Sequence, residues 1–390
     1  MKTLIYKHLF RYSTMILSLK ITKGLRLFSV VILGSLFVVA GCTSPATTSP
    51  ITPENINQTS AIYQSLSITP QPNNQLCWYD ANFFVDRWDD FIANPSFEGG
   101  LIHKLTPHDG KLIGQETYQV PINTTIHLTY KGYFYDKVAN TMPVRYIALL
   151  NEQQLATAFD NVDTLYHDIL FQNHQTETFD MTIPPLEESI YELVIIGIQQ
   201  AELFDDGHAG VFAIRITLIV GNPPLFVDRE AYDIIPPTEQ RNNQNADIYW
   251  SLTLHGDQTH HMWIAPEIYK PAINQLDFFM SVGYMEQADK QAEHNITPQP
   301  QPIALIALLD YVQVPIQEDK LVFYGLLTPD NSYSYIPANI DVSNYSGKKE
   351  LLVIQISYPR VPACFLIPSG PGFYFYFPID VRRHGVDVQN

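Results

Sequence analysis

The sequence predicts an all-β protein: two tandem, related antiparallel β-sandwiches of the immunoglobulin-like kind behind a disordered tether, with at most one short helix. Three observations in the 390 residues predict it. First, apolar residues alternate with polar ones or gather in short β-branched and aromatic strings. Ile248, Trp250, Leu252 and Leu254 alternate, Ala213 to Val220 is mostly β-branched, and Phe373-Tyr-Phe-Tyr-Phe377 is wholly aromatic. Second, turn signals bound these strings, among them Pro184-Pro185, Asp206-Gly207, Gly221-Asn-Pro-Pro224, Pro329-Asp-Asn331 and Pro368-Ser-Gly-Pro-Gly372. Third, the chain repeats itself. Ile147-Ala-Leu-Leu-Asn151 returns as Ile306-Ala-Leu-Leu-Asp310, and Glu192-Leu-Val-Ile-Ile-Gly-Ile198 returns as Glu350-Leu-Leu-Val-Ile-Gln-Ile356, at offsets of 159 and 158.

Residues 1–41 are the first element, a leader. They hold six basic residues, Lys2, Lys7, Arg11, Lys20, Lys23 and Arg26, and no acid, so a positive segment precedes the apolar run Leu27 to Ala40. That run is shorter than the roughly 20 residues a membrane-spanning helix needs. The length of the basic segment points to Met15 as the start, which still leaves Lys20, Lys23 and Arg26 ahead of the run. The run closes on Val39-Ala40-Gly41-Cys42 and turns at once into Thr43-Ser-Pro-Ala-Thr-Thr-Ser-Pro50. This stretch resembles the signal peptide and lipobox of bacterial lipoproteins, with Val39 where that family usually has Leu. The resemblance implies that Cys42 receives a diacylglyceryl group and becomes the first residue of the mature chain. It also implies that the protein sits on the extracytoplasmic side of a cell membrane, its partner through the acylated Cys42. One acyl chain binds a membrane marginally, at about 0.8 kcal/mol per buried methylene, and two anchor it stably.

The second element, residues 42–75, is rich in Thr, Ser, Pro, Asn and Gln, too polar to bury a core, and reads as a flexible tether. The mature chain, about 350 residues, has room for two domains. The repeat places them at 76–222 and 248–390, with a Pro- and Asn-rich linker at 223–247. Lesser landmarks recur in the same order: Gly132-Tyr133 with Gly283-Tyr284, Tyr166 to Leu170 with Phe323 to Leu327, so that Gly325 takes the place of Asp168. The stretch Glu152 to Asp168 alone looks helix-capable.

Charge limits the partners. With the six basic residues of the leader removed, 17 remain against 40 acids, a mature net charge of −23. Such a surface repels polyanions, so nucleic acid is not expected as a partner, whereas an envelope glycan or protein is. Once Cys42 is acylated, Cys77 and Cys364 remain. An extracytoplasmic compartment lets them pair in a disulfide, worth about 5 kcal/mol in the loop-entropy account, the alternative being two buried thiols.

No catalytic residue is assigned. The chain has no Gly-x-Ser-x-Gly, no phosphate- or dinucleotide-binding glycine loop and no cofactor motif. Histidines gather at His255, His260 and His261 around Asp257, but neighbours on one strand point to opposite faces, so no metal site is expected there. Acidic turns at Asp160-Asn-Val-Asp163, Asp205-Asp-Gly-His208 and Asp86, Asp89 and Asp90 read as solvated turns, calcium ligation being the sharper alternative. Rings such as Trp78, Trp88, Trp250 and Trp263 suit sugar stacking and core packing alike. The expectation is a non-enzymatic binding or structural module of the cell envelope. A polysaccharide hydrolase using two carboxylates is the alternative, because that chemistry leaves no short motif.

Overall fold

The computed structural model describes residues 92, 99–201 except 115 and 161, 210–223, 233–235, 239–240, 252–255, 274–283, 301–327, 332–360 and 379–388. They belong to one compact unit, Ile56–Asn390. Cys42, Cys77 and Cys364, the leader, and the acidic turns at Asp86 to Asp90 and at Asp205 lie outside the described residues, as do His260, His261 and all four tryptophans.

The elements of the described part are strands. Those before residue 221 are β1 (Gly99–Pro107), β2 (Lys111–Gly114), β3 (Thr117–Val120), β4 (Ile126–Asp136), β5 (Thr141–Leu150), β6 (Gln153–Gln154), β7 (Thr157–Phe159), β8 (Val162–Thr164), β9 (His167–Gln172), β10 (Gln175–Ile183), β11 (Ser189–Gln199) and β12 (Val211–Val220). After it come β13 (Asp233–Ile234), β14 (Glu239–Gln240), β15 (Leu252–His255), β16 (Gln275–Gly283), β17 (Gln301–Leu309), β18 (Val312–Val314), β19 (Val322–Leu327), β20 (Ser332–Asp341), β21 (Gly347–Ser357) and β22 (Ile379–Val388).

They form four sheets. In order across each, the first is β1-β4-β10-β7-β8 and the second β2-β3-β12-β11-β5-β6, with β9 also on β5. The third is β13-β19-β17-β21-β22, with β18 also on β17, and the fourth β14-β20-β16-β15. Ladders are antiparallel except β3 with β12 and β13 with β19. The central order β12-β11-β5-β9 of the second sheet is matched rung for rung by β22-β21-β17-β19 of the third. Val194 faces Leu149 as Leu352 faces Leu308, and Val194 faces Arg215 as Leu352 faces Arg383.

Three apolar layers lie between the four sheets. Tyr130, Phe171, Phe179, Leu193 and Ile195 fill the first sandwich, and Phe278, Met280, Leu305, Leu351 and Val353 fill the second. Ile147, Leu149, Val194 and Ile196 of the second sheet pack on Ile306, Leu308, Leu352 and Ile354 of the third. The middle sheets are therefore covered on both faces. This explains why β5, β11, β17 and β21 read as near-continuous apolar runs and not as clean alternation.

Two expectations are corrected. Glu152 to Asp168 is not a helix but β6, β7, β8 and the start of β9. Its backbone enters the left-handed region at Glu152 (φ 63°) and again at Asp160 (φ 48°), where the chain reverses between β7 and β8, and neither is compatible with a continuing right-handed helix. The partner of Asp168 in the repeat is Tyr324, not Gly325: Arg145 faces Asp168, and the residue equivalent to Arg145, Ala304, faces Tyr324. A shift of one residue changes the face on which a side chain lies. In the stretch expected to link the domains, β13 and β14 add edges to the third and fourth sheets.

Candidate functional site

The densest set of buried polar side chains among the described residues lies where the second and third sheets meet. Its frame is a pair of two-residue hairpins. Leu150 faces Gln153 across Asn151-Glu152, and Leu309 faces Val312 across Asp310-Tyr311. All four turn residues have positive φ (47°, 63°, 51° and 68°), the geometry of a type I′ turn, in which Asn or Asp is at ease in the first position and Gly is usual in the second. Here the second position carries Glu152 and Tyr311, both buried. Each turn is tied to the neighbouring strand, Asn151 N–H to Glu192 O at 2.9 Å and Asp310 N–H to Glu350 O at 2.8 Å.

Beyond the turns the two halves exchange contacts. Gln154 N–H donates to Gln313 Oε1 at 2.6 Å, and Gln313 N–H donates to Gln154 Oε1 at 2.7 Å. The two amide nitrogens cross as well, Gln154 Nε2 to Tyr311 O at 2.7 Å and Gln313 Nε2 to Glu152 O at 3.0 Å.

Two arginines repeat the exchange on a larger scale. Arg215 of β12 pairs with Glu192 of its own half and donates to Ser357 O (2.8 Å) and Tyr358 O (2.7 Å) of the other. Arg383 of β22 pairs with Glu350 of its own half and donates to Gln199 O (3.2 Å) and Gln200 O (2.9 Å) of the other. The receiving carbonyls are exposed to the guanidinium by left-handed residues at the two strand ends, Gln200 and Tyr358, both at φ 50°. A planar guanidinium suits this double role of carboxylate partner and carbonyl donor.

The seam is not perfectly symmetric. On one side the Tyr311 hydroxyl, with a single hydrogen to give, lies 2.5 Å from Ala201 O of the other half and 2.6 Å from Glu350 Oε2 of its own. On the other, Glu152 Oε2 accepts from Arg360 Nε (2.8 Å) and Tyr324 Oη (3.0 Å), while Arg360 N–H donates to Glu192 Oε2 (2.7 Å). Burial, and then the nearby Glu192 charge, push the Glu152 carboxyl up to about 6 against the pull of Arg360 and Tyr324. Burial likewise raises Glu350. Arg145, held bidentately by Asp168, lies between the Tyr166 and Tyr311 rings at 4.2 and 4.3 Å, a cation–π clasp across the same seam.

A second polar set lines the interior of the second sandwich. Asp380, Arg382 and His384 alternate along β22 opposite Gln355, Val353 and Leu351. The equivalent row of the first sandwich is Phe212, Ile214 and Ile216 opposite Gly197, Ile195 and Leu193. Asp380 Oδ2 accepts Leu252 N–H at 3.0 Å and Arg382 donates to Leu252 O at 2.5 Å, so this pair hooks edge strand β15 onto β22.

Of the residues singled out in the sequence, Asp160 is in a described turn, where its carboxylate accepts Asp180 N–H at 2.9 Å and lies 3.5 Å from His167 Nε2. The described residues hold no group of three or more His, Cys, Asp or Glu side chains placed for one metal ion. A dimple between Asp109, Gly110, Pro121, Thr124 and His127 encloses about 10 Å³, far below the roughly 300 Å³ of a small ligand pocket. The seam residues were missed in the sequence, although Arg215 inside an otherwise apolar strand was their visible sign.

No protein-family model matches the chain, and no curated protein matches it. Among solved structures it is similar to the CARDB domain of a Pyrococcus furiosus protein crystallised with two metal ions, at 10% identity over 32% of this chain and 99% of that one, TM-score 0.21. It is also similar to the N-terminal domain of PorA, at 11% identity over 31% and 100%, TM-score 0.20. A calcium binding domain of CALX1.1 gives 8% identity over 64% and 79%, TM-score 0.20. At these values the likenesses carry no argument about activity.

Proposed function

We propose that the protein is a lipid-anchored, extracytoplasmic, non-enzymatic binding or structural module of the cell envelope, whose two sandwiches are tandem copies of one unit. The observation that carries the reading is the reciprocal seam. Contacts in which residue i of one half meets residue j of the other, and j meets i, are what two copies of a unit make about a two-fold axis. The seam also commits the buried arginines and glutamates to holding the halves in register, which suits a spacer or a paired binding surface. The lipobox resemblance supplies Cys42 as the anchor, and the polar stretch after it supplies the distance from the membrane.

The test uses the chain from Thr43 onward, incubated with insoluble envelope polysaccharide and with peptidoglycan, with retained protein and released sugar measured in the same tubes. Retention without release supports a binding module, and neither supports a protein partner or a spacer. Release of sugar overturns the reading in favour of a hydrolase. Anchoring is tested separately: Cys42→Ala in the full chain abolishes incorporation of labelled fatty acid and membrane retention.

A further inference from the structure

We propose that the outer face of the first sheet binds a carboxylate-bearing glycan, with Lys104 and Lys131 gripping one carboxylate; the proposal rests on the binding-module reading and names its ligand class. The observation behind it is a cross-strand pair of like charge. In the ladder of β1 with β4, Lys104 faces Lys131 directly. Facing side chains in an antiparallel pair lie about 5 Å apart, where two like charges destabilise the sheet. Folding alone does not ask for them. The described strands of the fourth sheet, the matching outer sheet of the other half, hold no Lys or Arg and carry Glu239, Asp277 and Asp341.

The rungs around the pair set it on the solvent side. Leu105, Tyr130, Phe134 and Phe179 of the same sheet fill the first sandwich, so the alternate residues face outward. Lys131 is exposed and has Thr178, also exposed, on its other flank. One rung along, Thr176 is exposed beside Tyr133; one rung the other way, Thr106 faces Thr129. Asp180, the acid on that last rung, accepts the Thr129 hydroxyl at 2.7 Å. Near the end of β4 the Tyr135 ring meets the His174 ring edge to face at 4.9 Å. That pair stands about 14 Å along the strand from Lys131.

Threonine hydroxyls beside two ammonium groups match a sugar chain that carries carboxylates. The hydroxyls exchange hydrogen bonds with sugar hydroxyls, and the lysines donate to the charge. The rest of the protein, with a net charge of −23 once the leader is removed, repels a dense polyanion. The charges on the glycan are therefore spaced, as in a polymer that alternates a hexuronate with a neutral sugar. An anionic bilayer is the weaker match, because attraction to it grows with the number of basic residues and recognition takes clusters of about 4–8.

The experiment measures retention of the chain from Thr43 onward on immobilised hyaluronan, in which a hexuronate alternates with a neutral amino sugar, and on the same polymer with its carboxyls methyl-esterified. The variants are Lys104→Gln with Lys131→Gln, and Lys131→Glu alone. The second sets opposite charges across the rung, so it should be no less stable in urea than the parent. The expected result is that the wild type is retained at low salt, ignores the ester, and is released at about 1 M salt, where charges are screened beyond about 3 Å. Both variants should bind about tenfold or more weakly. Equal retention of the wild type and Lys131→Glu, or no retention of the wild type on hyaluronan, overturns the proposal. So does lysine-dependent retention on phosphatidylglycerol vesicles without retention on hyaluronan, which assigns the face to the membrane. Retention on envelope polysaccharide or peptidoglycan that neither variant weakens also overturns it, while leaving the binding-module reading in place.

Discussion

Gln154 and Gln313 each accept the other's backbone N–H through the side-chain oxygen, at 2.7 and 2.6 Å, although 159 residues separate them. Each amide also donates to the left-handed turn residue of the opposite half, so both ends of both side chains are spent across the seam. Gln154→Ala and Gln313→Ala are each expected to cost about 1–3 kcal/mol, since each leaves a partly buried N–H unmet. The double variant should cost about the sum of the two, because each amide bonds backbone groups of the opposite half that alanine leaves in place. A denaturant double-mutant cycle measures this, and two single variants as stable as the parent would contradict the exchange.

Arg215 holds a buried glutamate and two carbonyls at once. Arg215→Met strands Glu192, 2% exposed, without its guanidinium, and is expected to cost about 3–5 kcal/mol, a large share of a typical domain's stability. Lys349→Met removes a half-exposed pair with Asp310 and should cost about 1 kcal/mol or less. If the two variants unfold at similar urea concentrations, the seam is not held by its buried charges.

His103 stacks on Phe212 at 4.8 Å with its Nδ1 buried and unpartnered. Burial depresses its ionisation from 6.5 to about 4, so the fold keeps it neutral while the unfolded chain protonates it. The unfolded state then binds the extra proton between about pH 4 and 6.5, and stability falls as pH falls through that window, by about 3 kcal/mol in full. The raised Glu152 carboxyl acts in the opposite sense over part of the same range. His103→Phe keeps the stacking and should flatten the acid limb of a plot of melting temperature against pH; an unchanged limb would clear His103 of responsibility.

How far the sequence discloses the fold depends on which interactions fix it. The strands were legible because β-branched and aromatic strings bounded by turns do not depend on distant partners, and Leu149 and Leu308 fall on equivalent rungs as the repeated strings suggested. The stretch from Glu152 to Asp168 misled because helix-forming composition is a weak preference, easily overridden by two reversals at positive φ. Tyr324 was missed as the partner of Asp168 because string matching tolerates a slip that a hydrogen-bonded ladder does not. The seam was hidden for a deeper reason: Arg215 and Ser357 meet only after two sheets have formed and stacked, and nothing local in either segment records the other.

Gln355 gives the repeat an internal control. Its side chain is fully buried, and neither its amide oxygen nor its amide nitrogen has a partner. The matching residue of the first sandwich is Gly197, covered by the Phe212 ring, so the fold itself asks for no amide at that rung. A buried amide without partners costs about 1–3 kcal/mol in protein settings, and an apolar side chain of similar length removes that cost without opening a cavity. Gln355→Met is therefore expected to stabilise the chain by about 1 kcal/mol or more in denaturant unfolding. Gln355→Gly, which imitates the first sandwich without supplying its phenylalanine at Asp380, is expected to destabilise it through the void left behind. If Gln355→Met instead weakens the fold by a similar amount, the amide is satisfied by an ordered water bridging it to its polar neighbours Ser357 and Asp380 in β21 and β22, and the row Asp380, Arg382 and His384 is a hydrated network rather than a set of strand hooks.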